Sequence, residues 1–179
     1  MNNNNSQVPS TGLIQTDIAS VLSPQELAAI DAELKHTPYP AGAAIDALKI
    51  VQQQRGWVSD SCLQAIAKHL HMSVHELDGI ATFYNLIYRQ PVGKEVILFC
   101  NSVSCWLCGS DQIKEKISNK LGIDFGQTSA DGRYTLIPVP CLGACDKAPV
   151  MMLGEQLISQ LDEQKLEILT IEDSKPDKA

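Results

Sequence analysis

The sequence predicts an α+β protein, with a helical bundle in its first half and a small sheet covered by helices in its second. Three observations lead there. Between roughly residues 20 and 85, apolar residues recur at helical spacing behind repeated helix-start signals. After Gln90-Pro91-Val92-Gly93 the pattern changes to short apolar runs separated by turn signals. Four of the six cysteines then follow directly behind two of those runs.

Residues 1–16 are polar and without pattern, and the expectation is a mobile tail. The first strong start follows. Ser23 can cap a helix, Pro24 suits its first position, and Glu26 completes a capping box. Leu22 and Leu27 can staple that entry, and Leu27, Ile30 and Leu34 share a face. The helix should stop before Pro38. A second segment runs from about Ala43 to Arg55, with Ile45, Leu48 and Val51 on one side and Gly56 placed to end it. A third follows Ser59 or Asp60 and carries Leu63, Ile66, Ala67 and Leu70. Cys62 lies near that stripe and reads as a buried packing thiol. Ser73 and Glu76 repeat the capping box, with Met72 and Leu77 as the staple, and open a helix toward Phe83. Short loops between such helices favour packing of neighbours, so 17–90 is expected to form one helical domain.

The second domain is expected over 91–171, with 172–179 as another mobile tail. Val96 to Phe99 reads as a buried strand running into Cys100. A helix begins near Gly109 or Ser110, shows Ile113, Ile117 and Leu121 on one face, and ends at Gly122. Asp131-Gly132 turns the chain into a strand from Tyr134 to Val139, whose end is limited by Pro138 and Pro140. Val150 to Leu153 forms another strand, Gly154 turns it toward Leu157 and Ile158, and Asp162 to Ile168 reads as a last helix. Strand, helix, strands and helix in that order make a small sheet with helical cover.

Composition narrows the functions. The net charge of −7 gives no support to nucleic-acid binding. No run is apolar and long enough to span a bilayer. Met1 to Ser6 lacks the positive region and apolar core of a secretory signal, and the first basic residues are Lys35 and Arg55. The expected compartment is the bacterial cytosol, or an organelle matrix for a processed chain. In such reducing surroundings, clustered cysteines bind metal more often than they form disulfides. There is no Gly-x-Gly-x-x-Gly loop, no P-loop and no credible acid–base centre, so no catalytic residue is assigned. His69, His71 and His75 lack a metalloprotease pattern and straddle a helix boundary; they and His36 read as surface or packing residues.

The chemistry lies in Cys100-Asn101-Ser102-Val103-Ser104-Cys105 and Cys141-Leu142-Gly143-Ala144-Cys145. Adjacent strands can bring this C-x4-C and this C-x3-C to one edge of the sheet. Four thiolates there suit an iron–sulfur cluster. They also suit structural zinc. Cys108 adds a C-x2-C with Cys105, which leaves open a redox dithiol or a thiolate set that displaces Cys100 or Cys105.

Taken with Ala81-Thr82-Phe83-Tyr84-Asn85, Arg89-Gln90-Pro91-Val92-Gly93-Lys94, Gly126-Gln127-Thr128, Asp131 to Leu136 and Pro140 to Pro149, the pattern resembles the 24 kDa subunit family of NADH:quinone oxidoreductase, respiratory complex I. The resemblance covers roughly residues 20–170. It implies a thioredoxin-like ferredoxin domain with a small mixed sheet after the helical bundle. It implies one [2Fe-2S] cluster on Cys100, Cys105, Cys141 and Cys145, with Cys108 outside the ligand set. It further implies electron exchange with FMN on a 51 kDa-type partner that also binds NADH, and contact with the large iron–sulfur subunit. The isolated chain would not oxidise NADH, and it would meet the cytoplasmic face of the inner membrane only through the complex. Phe83, Tyr84 and Arg89 are expected either at that interface or, for the aromatics, in the core. An equivalent diaphorase subunit of an NAD-linked hydrogenase or formate dehydrogenase, and a zinc-stabilised interaction module, are the other readings.

Overall fold

The structure, a computed structural model, describes residues 18–169, so the expected tails 1–16 and 172–179 lie outside the described residues. The chain divides into two compact units between Arg89 and Gln90.

The first unit holds α1 (Ile18–Val21), α2 (Pro24–Leu34), α3 (Ala44–Arg55), α4 (Asp60–His69) and α5 (Val74–Phe83), with a short 3₁₀ turn at Pro40–Ala43. The starts are built as their sequences require. Ser23 Oγ accepts the Glu26 N–H at 3.2 Å while Glu26 Oε2 accepts the Ser23 N–H at 2.7 Å, and Ser73 and Glu76 repeat the exchange. Ser59 caps α4 through the Cys62 N–H. Gly56 ends α3 in the left-handed conformation, φ 81°, which costs a residue without Cβ little. Ile30, Leu48, Val51, Ile66, Leu70 and Leu77 fill one core. Burying each such side chain contributes about 1.5–3 kcal/mol.

One charged network crosses this unit. Glu26 is 1% exposed, and Arg55 holds it through two hydrogen bonds of 2.6 and 2.5 Å. The same guanidinium donates to the Val21 carbonyl at 2.7 Å and to Cys62 Sγ at 3.2 Å. Cys62 is thus a buried packing thiol with a polar partner. Arg89 plays a similar part at the end of the unit, donating to Asp78, Asp60 and the Val58 carbonyl. That arginine is engaged inside the unit. Phe83 and Tyr84 stack edge to face, but Phe83 is 80% exposed, so the aromatics do not occupy the core. His69 reaches Asp31 at 2.8 Å, a surface pairing.

The second unit holds β1 (Glu95–Cys100), α6 (Val103–Leu107), α7 (Ser110–Leu121), β2 (Tyr134–Val139), β3 (Met151–Leu153) and β4 (Gln156–Ile158). The sheet order is β2-β1-β3-β4. β1 and β2 are parallel, whereas β3 runs antiparallel to both β1 and β4, so the small sheet is mixed. A parallel pair needs a crossover, and the connection from β1 to β2 contains α7. Ile113, Ile117 and Leu121 of α7 pack with Ile97, Phe99, Tyr134, Leu136 and Met151 of the sheet. Pro138 is tolerated because β2 is an edge strand. Gly93 is required by close approach: a Cβ there would stand 2.6 Å from the Arg133 carbonyl oxygen. Its N–H donates to Thr135 Oγ1 at 2.6 Å, which seats the entry to β1 beside β2.

Two elements differ from expectation. α6 has no visible apolar stripe in the sequence, because Val103, Trp106 and Leu107 are exposed. The expected helix over 162–168 is only a 3₁₀ turn at Lys165–Ile168. Asp162 Oδ1 accepts the Lys165 N–H there, and Lys165 Nζ folds back onto the carbonyls of Ser159 and Gln160. Those local bonds compete with a regular helix in so short a segment.

Candidate metal centre

The site is a consequence of the parallel pairing. Cys100 is the last residue of β1, and its register partner is Val139, the last residue of β2. Both strands therefore release their cysteine segments at the same end of the sheet. The Asn101 N–H donates to the Val139 carbonyl at 3.1 Å and the Cys100 N–H to the Val150 carbonyl at 3.3 Å, which ties the three segments together there.

From Asn101 the chain turns into α6, which carries Cys105 into the interior at 0% exposure. Cys100 and Cys105 pack with Val150, covered by Leu142, Ala144 and Ala148. Cys141 and Cys145 lie on the exposed side. Gly143 bends their loop with φ 76°, and its N–H donates to Cys141 Sγ at 3.2 Å. That conformation suits glycine, and the short loop folds back on its own first sulfur as a result.

The sulfurs form a connected set. The Cys141 and Cys145 sulfurs are 3.7 Å apart, and Cys100 lies close enough to influence both Cys105 and Cys141. The Val150 backbone lies by Cys105 and the Ser104 side chain by Cys145, and each favours the ionised sulfur. Burial, with the Cys100 sulfur beside it, pushes the Cys105 thiol up to about 11. The Gly143 N–H, aided by Cys145, holds Cys141 below the ordinary thiol value, while Cys145 is raised by its bond to Cys141.

The spacing of the exposed pair fits two thiolates on one tetrahedral metal, iron or zinc. Two sulfurs on one tetrahedral metal, with bonds of about 2.3 Å, stand about 3.8 Å apart. The Cys141–Cys145 separation of 3.7 Å matches that spacing. Among the described residues, no three His, Cys, Asp or Glu groups converge on a single ion position. Cys108 closes α6, where its N–H bonds to the carbonyls of Ser104 and Cys105, and its thiol is exposed. Cys105 pairs with Cys100, so its side chain is turned toward the quartet. Asp146 and Lys147 are exposed on the turn that begins at Cys145.

The sequence marked the four cysteines and, through Gly143, backbone N–H donors in their loops. That glycine, two residues after Cys141, was the usable signal. Nothing in Ser104 or Val150 announces its nearness to a sulfur that is distant in sequence.

Comparison with known proteins places this geometry. The family model described as thioredoxin-like [2Fe-2S] ferredoxin matches residues 30–172. The chain belongs to the thioredoxin-like [2Fe-2S] ferredoxin family. Among its relatives is the E subunit of the NADH-quinone oxidoreductase of Pseudomonas aeruginosa, 48% identical over 145 residues that cover 81% of this chain and 87% of that protein. The protein of the same name from Escherichia coli is 49% identical over 140 residues, covering 78% and 84%. The family fold also occurs in a solved NAD+-reducing [NiFe]-hydrogenase in the air-oxidised state, with a TM-score of 0.60 at 21% identity. That match covers 70% of this chain and 22% of the hydrogenase chain, and it is a likeness of fold.

Proposed function

We propose that this chain is the electron-transfer subunit of an NADH:quinone oxidoreductase, holding one [2Fe-2S] cluster on Cys100, Cys105, Cys141 and Cys145. The observation that carries the reading is the linked set of four thiols at the shared end of two parallel strands. The identity with the NADH-quinone oxidoreductase subunits of Pseudomonas aeruginosa and Escherichia coli, over most of both chains, supports the choice of complex. When bound, such a cluster takes up and returns one electron at a time.

The residues of this chain divide the remaining work. Val150, Leu142, Ala144 and Ala148 keep water from the Cys100–Cys105 side. The N–H of Gly143 and the Val150 backbone offer dipoles to thiolate sulfurs, whose negative charge grows on reduction. The exposed Cys141–Cys145 side offers the shorter path to a partner. NADH and FMN belong on that partner, a 51 kDa-type subunit, with the large iron–sulfur subunit beyond it. The isolated chain does not oxidise NADH under this reading. No helix among the described residues is long and apolar enough to cross a membrane, which suits attachment to the cytoplasmic face of the inner membrane through partner subunits. A diaphorase subunit of a hydrogenase or formate dehydrogenase would use the same centre, and the co-purifying partners separate the two.

The test is anaerobic purification with iron and acid-labile sulfide measured on one sample, and EPR after dithionite reduction. The expected result is about two irons, about two sulfides and one unpaired-electron signal per chain. Zinc without sulfide, before and after reconstitution with iron and sulfide, would overturn the reading in favour of a zinc-stabilised module.

A further inference from the structure

We infer that Gly143 is a positioning residue of the metal centre: its left-handed backbone keeps its own N–H on Cys141 Sγ, and that bond favours the reduced centre. The inference rests on the [2Fe-2S] reading above and deepens it, because the identity of one loop residue then sets how readily the centre takes its electron.

The Gly143 N–H donates to Cys141 Sγ at 3.2 Å, inside the C-x3-C loop. The sulfur stands where the side-chain oxygen of Asn or Asp stands in an Asx-turn. The residues on either side are anchored. Leu142 and Ala144 both pack against the Cys100–Cys105 side, and the Ala144 carbonyl accepts the Lys147 N–H at 3.0 Å. The chain must therefore leave Leu142 and return at Ala144 with only Gly143 between them. A φ of 76° at Gly143 allows that return. With a negative φ, Ala144 reaches its place only if the Leu142–Gly143 peptide turns, and that peptide carries the N–H.

Space does not ask for glycine here. Beyond its chain neighbours, a Cβ on Gly143 meets no atom within 4 Å, in contrast to Gly93. The backbone angle alone requires it. One electron arriving from the reduced flavin of the partner adds one negative charge to the centre and its thiolates. A thiolate has no proton to give, so the N–H is the donor in both states, and it stabilises the more negative one more. Gly143 therefore raises the reduction potential of the centre.

Gly154 supplies the control. Its φ is 56°, a Cβ there also meets nothing within 4 Å, and its N–H bonds to the Val96 carbonyl instead of a sulfur. The experiment uses the full chain and its Gly143→Ala, Gly143→Asn and Gly154→Ala variants, prepared without oxygen, with iron and sulfide quantified and the EPR signal titrated against potential. Gly143→Ala should keep the wild-type iron and sulfide content. At a fixed potential its reduced-to-oxidised ratio should fall about tenfold, equivalent to a downward shift of about 59 mV for a one-electron couple. Asparagine tolerates the left-handed conformation, so Gly143→Asn should titrate with the wild type. Gly154→Ala carries the same backbone strain and should also titrate with the wild type. A Gly143→Ala midpoint equal to that of the wild type would overturn the inference, as would an equal displacement in Gly154→Ala. Should Gly143→Ala fail to assemble a cluster, the wild-type chain made with isotopically labelled glycine nitrogen carries the test. Pulsed EPR of its reduced centre should show a coupling to that nitrogen, and absence of the coupling would overturn the inference. Absence of iron and sulfide from the wild-type chain, before and after reconstitution, would instead sink the [2Fe-2S] reading, and this inference with it.

Discussion

The two units bury polar groups in opposite ways. In the helical unit, Glu26 lies inside the protein, and Arg55, Ser23 and the start of α2 satisfy it. In the sheet unit, Cys105 lies equally deep, but its neighbours are another thiol and apolar side chains. The first arrangement is complete in the chain itself. The second favours the neutral thiol until a cation displaces the proton, since metal ligands must be deprotonated. Burial is offset by a charge pair in one unit and falls on a thiol with no cation beside it in the other.

The comparison breaks most sharply at the cysteines. Cys141→Ser should abolish the visible absorption and EPR signal of the anaerobically prepared chain. Urea unfolding of the helical unit should be left unchanged. A parallel loss of helical stability would show that the units are not energetically separate. Arg55→Met should do the reverse. It strands Glu26 without its cation and should cost about 3 kcal/mol of helical-unit stability, near the low end for a broken buried pair because Arg55 is partly exposed. Iron and sulfide content should not change. Gly93→Ala should cost the sheet unit about 2 kcal/mol, because its methyl meets the Arg133 backbone, which cannot swing aside as a flexible side chain can. Thermal unfolding of the full chain, resolved by unit, would measure it.

Acid sharpens the same contrast. Burial pushes the Glu26 carboxyl up, but hydrogen bonds from Arg55 and Ser23 outweigh it and hold the group below its ordinary value of 4.5. A carboxyl depressed in the folded state adds stability that is present above the ordinary value and lost as pH falls through the folded one. The helical unit should therefore weaken below that pH, and Arg55→Met should flatten the profile. Urea midpoints measured between neutral pH and acid would show this, and identical profiles would contradict it. The smallest expected effect is at an exposed cap: Ser73→Ala should cost about 1 kcal/mol, visible as a modest fall in the urea midpoint of the helical signal.

Much of the fold was legible because its signals are local. The Ser23–Glu26 and Ser73–Glu76 boxes each act across three residues, and Gly56 and Gly122 end their helices through their own backbone angles. α6 escaped because its outward residues are the large apolar ones, which inverts the pattern that usually betrays a helix. For Phe83 the sequence left core and interface both open, and the fold exposes it, because aromatic character does not say whether a neighbour waits in space.

At the centre, the sequence by itself determined the chemistry. It supplied four thiols in two short segments, a strand before each, and a glycine to bend the second loop. Spacing along the chain sets these, and spacing is local. The folded chain alone shows which sulfurs are neighbours, and that Cys105 is buried while Cys141 and Cys145 are exposed. Those contacts depend on β1 and β2 being parallel and in register, so that Cys100 and Val139 end side by side. Register is set by the packing of Ile97, Leu136 and Ile117 in a shared core, a sum over many distant residues that no short motif contains.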